Sequence, residues 1–286
     1  MARRAAVFES NLRATVMTDP ARPYPWRTFA ALTAACVLTS PLVMPYFLAL
    51  QANAPLPPPT VPPVGRLILA QLLRNLILST PAVGLGLLVA RPLGLGAPHL
   101  EHRFDGAPAP AEPFGSIVWP AVFWAFATAG VAFAIDAVFL HGLGVTFPAP
   151  EIHARIQVEW WRSGLASFWA PFAEETFDRL FLLSLVVWLI TRLFRIRGDG
   201  RARAAALWVA IVATAVFFGW YHISNEEMFA KPVPTIVAVR TVLIILPVGL
   251  AFGWLYVRRG LEAAILSHFV IDLIVHALRP LSGWTG

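Results

Sequence analysis

Seven stretches of this chain are each apolar enough, and long enough, to cross a bilayer. They run approximately over 26–51, 67–90, 117–140, 165–193, 205–223, 235–257 and 261–278. Crossing the hydrocarbon core takes about 20 residues of α-helix, each advancing ~1.5 Å. Lipid offers no water to backbone N–H and C=O groups, so a run of this kind has to satisfy them internally, as a helix does. The expected fold is therefore all-α, a polytopic membrane helical bundle of about seven transmembrane helices. An eighth, short or re-entrant helix is open around 152–161, where the pair Trp160-Trp161 fits an interfacial aromatic belt better than a full span.

The chain is 58% hydrophobic and only 13% charged, with a mean hydropathy of +0.67, which excludes an ordinary soluble domain. A formal net charge of +6 does not point to nucleic acid. Only Lys231 of the 22 basic residues is lysine, and most arginines fall between apolar runs, where they act as topology signals. The partner that composition implies is the lipid bilayer. With Cys36 the single cysteine, no internal disulfide can form. The bias to arginine, alanine and proline suits a GC-rich bacterial genome, hence a bacterial inner membrane.

Four regions follow: a polar basic tail over 1–25, a first set of spans over 26–163, a second over 164–278, and a short tail over 279–286. The first apolar run exceeds the roughly 7–15 residues of a signal-peptide core, so it reads as a span. Pro41 and Pro45 should kink it, and the proline-rich connection 56–63 cannot be regular helix. Arg3, Arg4, Arg13, Arg22 and Arg27 mark one side. Arg192, Arg195, Arg197, Arg201 and Arg203 mark it again, as do Arg258 and Arg259, although Arg155 and Arg162 dilute the contrast. With seven spans this places the N-terminus in the cytoplasm.

Against this background the polar residues inside the spans stand out, because each costs several kcal/mol there and is usually retained for function. The fourth stretch contains Glu174-Glu175-Thr-Phe-Asp-Arg179. Glu175 and Arg179 are four apart in the favourable order for a helical ion pair. That spacing leaves Glu174, about 100° away round the helix, as a candidate general base. A purely structural ion-pair network is the alternative. His222 closes Phe218-Gly-Trp-Tyr-His222, one turn after Phe218, and also suits an aromatic interface. His268 and Asp272 share a helix face four residues apart within an apolar segment, which calls for a partner across a helix interface or a wet cavity. Arg74, Asn75, Asp136, Arg240 and His276 are read first as structural, Asp136 with Arg240 for example.

Taken in order, Glu-Glu-x-x-x-Arg at 174–179, Phe-x-x-x-His at 218–222 and His-x-x-x-Asp at 268–272 resemble the Abi/CAAX protease family, the CAAX proteases and bacteriocin-processing enzymes. The phrase Arg259-Gly-Leu-Glu-Ala-Ala-Ile-Leu-Ser-His268 adds to the likeness, which spans roughly 164–278. The resemblance implies an intramembrane endopeptidase acting on a membrane-associated peptide or protein. It implies that Glu174 and His222 activate a water while His268 and Asp272 stabilise the oxyanion, with Glu175, Arg179 and Phe218 in support. Asp272 stands where asparagine is common in the family, and an ionised aspartate cannot donate a hydrogen bond. It would be protonated, orient His268 by fixing its tautomer, or bind metal. No cofactor is favoured; zinc on Glu174, His222 and His268 is the alternative.

Two further function classes compete: a non-proteolytic immunity or assembly protein that keeps the motif as a structural network, and a transporter with a buried ion path. Counting along the spans also poses a geometric problem. His222 falls near one membrane face and His268 only about 10 Å from the other, so the Arg258-Arg259-Gly260 turn must sink inward, or helices must tilt or break, for them to meet.

Overall fold

The computed structural model describes residues 23–55, 60, 62–148, 158–198 and 200–278, and these are all-helical, with no strand among them. Arg3, Arg4, Arg13, Arg22 and Arg155, most of the 56–63 connection, 152–157 and 279–286 lie outside the described residues. The helices are α1 Trp26–Leu38, α2 Met44–Asn53, α3 Val64–Ala90, α4 Pro98–Asp105, α5 Phe114–Ala137, α6 Trp160–Ala166, α7 Ala170–Glu175, α8 Ser184–Leu193, α9 Arg201–Tyr221, α10 Thr235–Arg259 and α11 Leu261–Asp272. Among the described residues six helical stretches are long and apolar enough to span: Trp26–Asn53, Val64–Leu93, Phe114–Gly142, Arg201–Met228, Thr235–Arg259 and Leu261–Leu278. The protein is an integral, multi-pass membrane protein.

The prolines act where the sequence placed them. Between α1 and α2 the chain tightens into a 3-10 turn, Ser40–Val43, with Pro41 at its start, and Pro45 opens α2. The fourth expected span is the one that departs from a plain apolar helix. It breaks after α6, restarts at Ala170, and runs on through α7 and α8 joined by a wide π-helical segment, Thr176–Leu183. Trp160 and Trp161 open α6 and are exposed. The charges of 174–179 make this stretch unsuited to face lipid, and it is packed instead against α3, α9, α10 and α11. Such π segments are rare and recur at functional sites.

Helices approach closely where side chains are absent. A Cβ on Gly249 of α10 would lie 3.0 Å from Ala215 of α9, and one on Gly253 would lie 3.1 Å from Ile211. A Cβ on Gly219 would fall 3.2 Å from the Val242 backbone. Gly249 and Gly253, four apart on one face, let α9 and α10 pack backbone to backbone, the usual device where lipid removes the hydrophobic drive between helices. On α3, Gly86 does the same against Leu180 of the π segment. The core between these helices contains Leu87, Leu180, Leu183, Ile211 and Phe252.

The turn after α10 is sunk into the protein. Gly260 takes φ +92°, a region that disfavours any side chain, and is itself buried, as are Leu261 and Glu262. Helix α4 lies over it: Leu261 N–H donates to the Gly96 carbonyl at 3.0 Å, and Glu262 accepts from the Leu100 N–H at 2.9 Å. At its other end α4 is tied to α1, where Asp105 accepts from the Arg27 and Thr28 amides and the Thr28 hydroxyl. Away from this end, Asp136 pairs with Arg240, whose Nε lies 2.7 Å from Oδ1. Asn75 accepts from the Trp169 indole at 3.0 Å.

Candidate active site

The paired glutamates end α7, and the chain then widens into the π segment. Glu174 with Asp178, and Glu175 with Arg179, form two adjacent rows along this helical stretch. The rows differ in exposure. Glu175, Asp178 and Arg179 are fully buried, whereas Glu174 keeps 22% of its side chain exposed. Of these four groups Glu174 is the one that is not fully buried.

Arg179 is held on every side. Its Nε lies 3.2 Å from Glu175 Oε2 and its Nη1 3.6 Å from Asp178 Oδ2. Nη2 donates to the Gly249 carbonyl at 3.3 Å. The guanidinium carbon sits 4.6 Å from the Phe218 ring centre and 5.5 Å from that of Phe252, two cation–π contacts. The i, i+4 pair expected from spacing is present, and it is anchored to α9 and α10 as well.

His268 reaches the same acids from α11. Its Nδ1 lies 2.7 Å from Glu175 Oε1, and its ring stacks on Phe252 at 4.8 Å and 22°. Phe252 and His268 stand eight residues on either side of Gly260, so the antiparallel hairpin of α10 and α11 brings them level. The turn is buried, one of the ways the sequence left for the motif residues to approach one another. A carboxylate accepts, so Nδ1 carries the hydrogen and Nε2 is the nitrogen turned toward the other acids. Nε2 faces Asp272 Oδ1 at 3.6 Å and Glu174 Oε2 at 4.0 Å. Glu175 holds Nδ1, while Asp272, expected to fix the tautomer, lies on the Nε2 side of the ring.

His222 follows α9 and begins a 3-10 turn, His222–Met228. Its Nδ1 donates to the Phe218 carbonyl at 2.7 Å, which leaves Nε2 on the other side of the ring. The imidazole packs against Phe218 at 4.6 Å and stacks on Tyr221 at 4.7 Å. Phe218 also lies 6.1 Å edge-on from the His268 ring, so it serves Arg179 and both histidines at once. Glu174, Glu175, His268 and Asp272 meet directly; His222 joins them through Phe218 and Tyr221.

Three members of the cluster escaped the sequence reading: Asp178, Tyr221 and Phe252. Asp178 had a signal, its place one turn after Glu174, which was masked by the neighbouring Arg179. Tyr221 had one as the neighbour of His222; its hydroxyl donates to Glu174 Oε2 or Asp178 Oδ2, each 3.2 Å away. Phe252 had none, being one apolar residue among many in α10.

Both histidines present Nε2 with Nδ1 held from behind, as metal-bound histidines do. Yet among the described residues no three His, Cys, Asp or Glu side chains are grouped so as to hold a metal ion.

Residues 156–274 match the family model described as Rce1-like, type II CAAX prenyl endopeptidase. Over these residues the chain is similar to the Abi/CAAX protease family, as the order of its motifs suggested. At family level the match is to intramembrane endopeptidases. The CAAX-protease-like region runs from α6 to α11 and contains every ionisable group of the cluster. No curated protein and no solved structure matches the chain.

Proposed function

We propose that the protein hydrolyses a peptide bond of a membrane-associated peptide or protein, with Glu174 as general base and His268 as oxyanion donor. The observation that carries this reading is the opposition of the two groups: His268 Nε2 faces Glu174 Oε2 across 4.0 Å while Glu175 grips the far side of the ring. Glu174 removes a proton from water, and the oxygen attacks the scissile carbonyl carbon. His222, through Nε2, orients that water. His268, as an imidazolium stabilised by Glu175, donates from Nε2 to the developing oxyanion; a carboxylate behind an imidazole plays this part in hydrolase triads. The proton on Glu174 then passes to the leaving nitrogen as the C–N bond breaks, and the carboxylate is restored.

Asp272, beside Nε2, bounds the same reaction space and supports the imidazolium. Water activation by a carboxylate of this kind needs no metal ion. The N-terminus lies in the cytoplasm of a bacterial inner membrane, and a bacterial membrane peptide is the favoured substrate over a prenylated protein. Purified protein in detergent, given a quenched peptide library with and without chelator, tests the reading: cleavage should survive chelation. Cleavage lost on chelation and restored by zinc would replace the metal-free chemistry but keep the peptidase.

A further inference from the structure

The hydroxyl of Tyr221 lies the same distance, 3.2 Å, from Glu174 Oε2 and Asp178 Oδ2. A phenol has one hydrogen and donates to one carboxylate at a time. The other carboxyl can approach the phenol oxygen favourably only by bringing a hydrogen of its own. Charge counting leads to the same place. Glu174, Glu175, Asp178 and Asp272 share Arg179 and His268 as the cations in contact with them among the described residues. Two cations cannot balance four carboxylates, and surplus charge out of water is costly; one proton cuts the surplus from two charges to one, which the partly exposed Glu174 can carry. Asp178 is fully buried, and its Oδ1 has no hydrogen-bond partner among the described residues. A neutral carboxyl tolerates that better than an ionised one.

Resting on the peptidase reading above, we infer that Tyr221 is the positioning residue for the base, in a chain Asp178–Tyr221–Glu174 that holds one proton between its two carboxyl groups. In the resting site Asp178 donates to the phenol oxygen and the phenol donates to Glu174. The ring is fixed by His222, stacked at 4.7 Å, and by Phe218 at 5.5 Å, so the hydroxyl pins Glu174 Oε2 and leaves Oε1 to take the proton from water. Tyr221 touches neither substrate nor water in this scheme and acts through Glu174. No bond is made or broken in the chain itself.

Tyr221→Phe removes one oxygen and keeps the ring that packs His222. Loss of a hydrogen bond to a charged group should lower kcat about 10- to 100-fold, with KM unchanged. Asp178→Ala should lower kcat through the same chain, so that the double variant with Tyr221→Phe is no slower than the worse single one. Asp178→Asn, which can still donate, should fall less than Asp178→Ala. Infrared difference spectra of the resting protein read the shared proton without turnover. The carbonyl band of a protonated carboxyl should vanish in Asp178→Asn and shift in Tyr221→Phe. A protein that cleaves nothing would sink the peptidase reading alone, because the infrared bands still judge the chain. Parent kcat in Tyr221→Phe, additive effects of the two variants, or spectra in which neither substitution alters a protonated-carboxyl band would overturn the inference.

Discussion

His268 on α11 donates from Nδ1 to Glu175 on α7 across 2.7 Å. One carboxylate therefore serves two masters, since its other oxygen lies 3.2 Å from Arg179 Nε. The consequence is that Glu175 couples the folding of the bundle to the orientation of the imidazole.

Glu175→Gln should accordingly show both a stability and a rate defect. Arg179 is fully buried, and removing one partner of a buried pair costs roughly 3–5 kcal/mol. The amide can still touch Nδ1 but cannot stabilise an imidazolium, so kcat should fall by about 100-fold or more. Thermal unfolding in detergent and steady-state kinetics measure the two separately. A variant that is destabilised but turns over like the parent would confine Glu175 to structure.

Glu174→Gln should separate from it. Glu174 is partly exposed and takes no part in the Arg179 pair, so the unfolding temperature should move far less than in Glu175→Gln. Turnover should be lost. Equal destabilisation by both variants would mean the two acids form one structural network, as the bland reading of the sequence had it.

Packing gives an independent prediction. Gly253→Val on α10 places methyl groups where a Cβ alone would stand 3.1 Å from Ile211 and 3.4 Å from Leu183. Overpacking of this kind costs about 1–3 kcal/mol. Because Gly249, one turn earlier, lends its carbonyl to Arg179, the rate should drop as α10 moves. Parent unfolding temperature and parent rate together would show that α9 and α10 do not depend on this contact.

The strap helix α4 should respond to acid. Burial pushes the Asp105 carboxyl up, but hydrogen bonds from the Thr28 side chain and the Thr28 and Arg27 amides, with the Arg27 charge, outweigh it and hold Asp105 below its usual range. Its stabilisation is present above the unfolded carboxylate value and is lost as pH falls through the lower folded one. Asp105→Asn should be less stable than the parent at neutral pH and flatter on the acid side. Parallel curves for the two proteins in unfolding against pH would exclude this role.

Much of this was legible along the chain, and the reason is local geometry. The spans follow from apolar length, the bend in the first from Pro41 and Pro45, and the Glu175–Arg179 contact from an i, i+4 rule. Asp136 with Arg240 follows because two buried opposite charges seek each other. Apart from that pair, what runs between helices was not legible. No spacing along α7 or α11 tells which carboxylate meets His268, since that depends on the rotation of α7 as it passes into the π segment. Nor does the sequence reveal that α4 folds over Gly260 and lets the turn sink. The near-equal pull of Glu174 and Asp178 on Tyr221 is likewise a property of three helical turns meeting.

The most direct measurement is the cleavage rate of a membrane-embedded peptide in chelator-treated proteoliposomes, comparing the parent protein with Glu174→Gln in heavy-oxygen water. The account predicts cleavage by the parent, with the label in the new carboxyl group, and none above background by a folded Glu174→Gln. Cleavage by Glu174→Gln at the parent rate, or a folded parent that cleaves no membrane-embedded peptide, would contradict it.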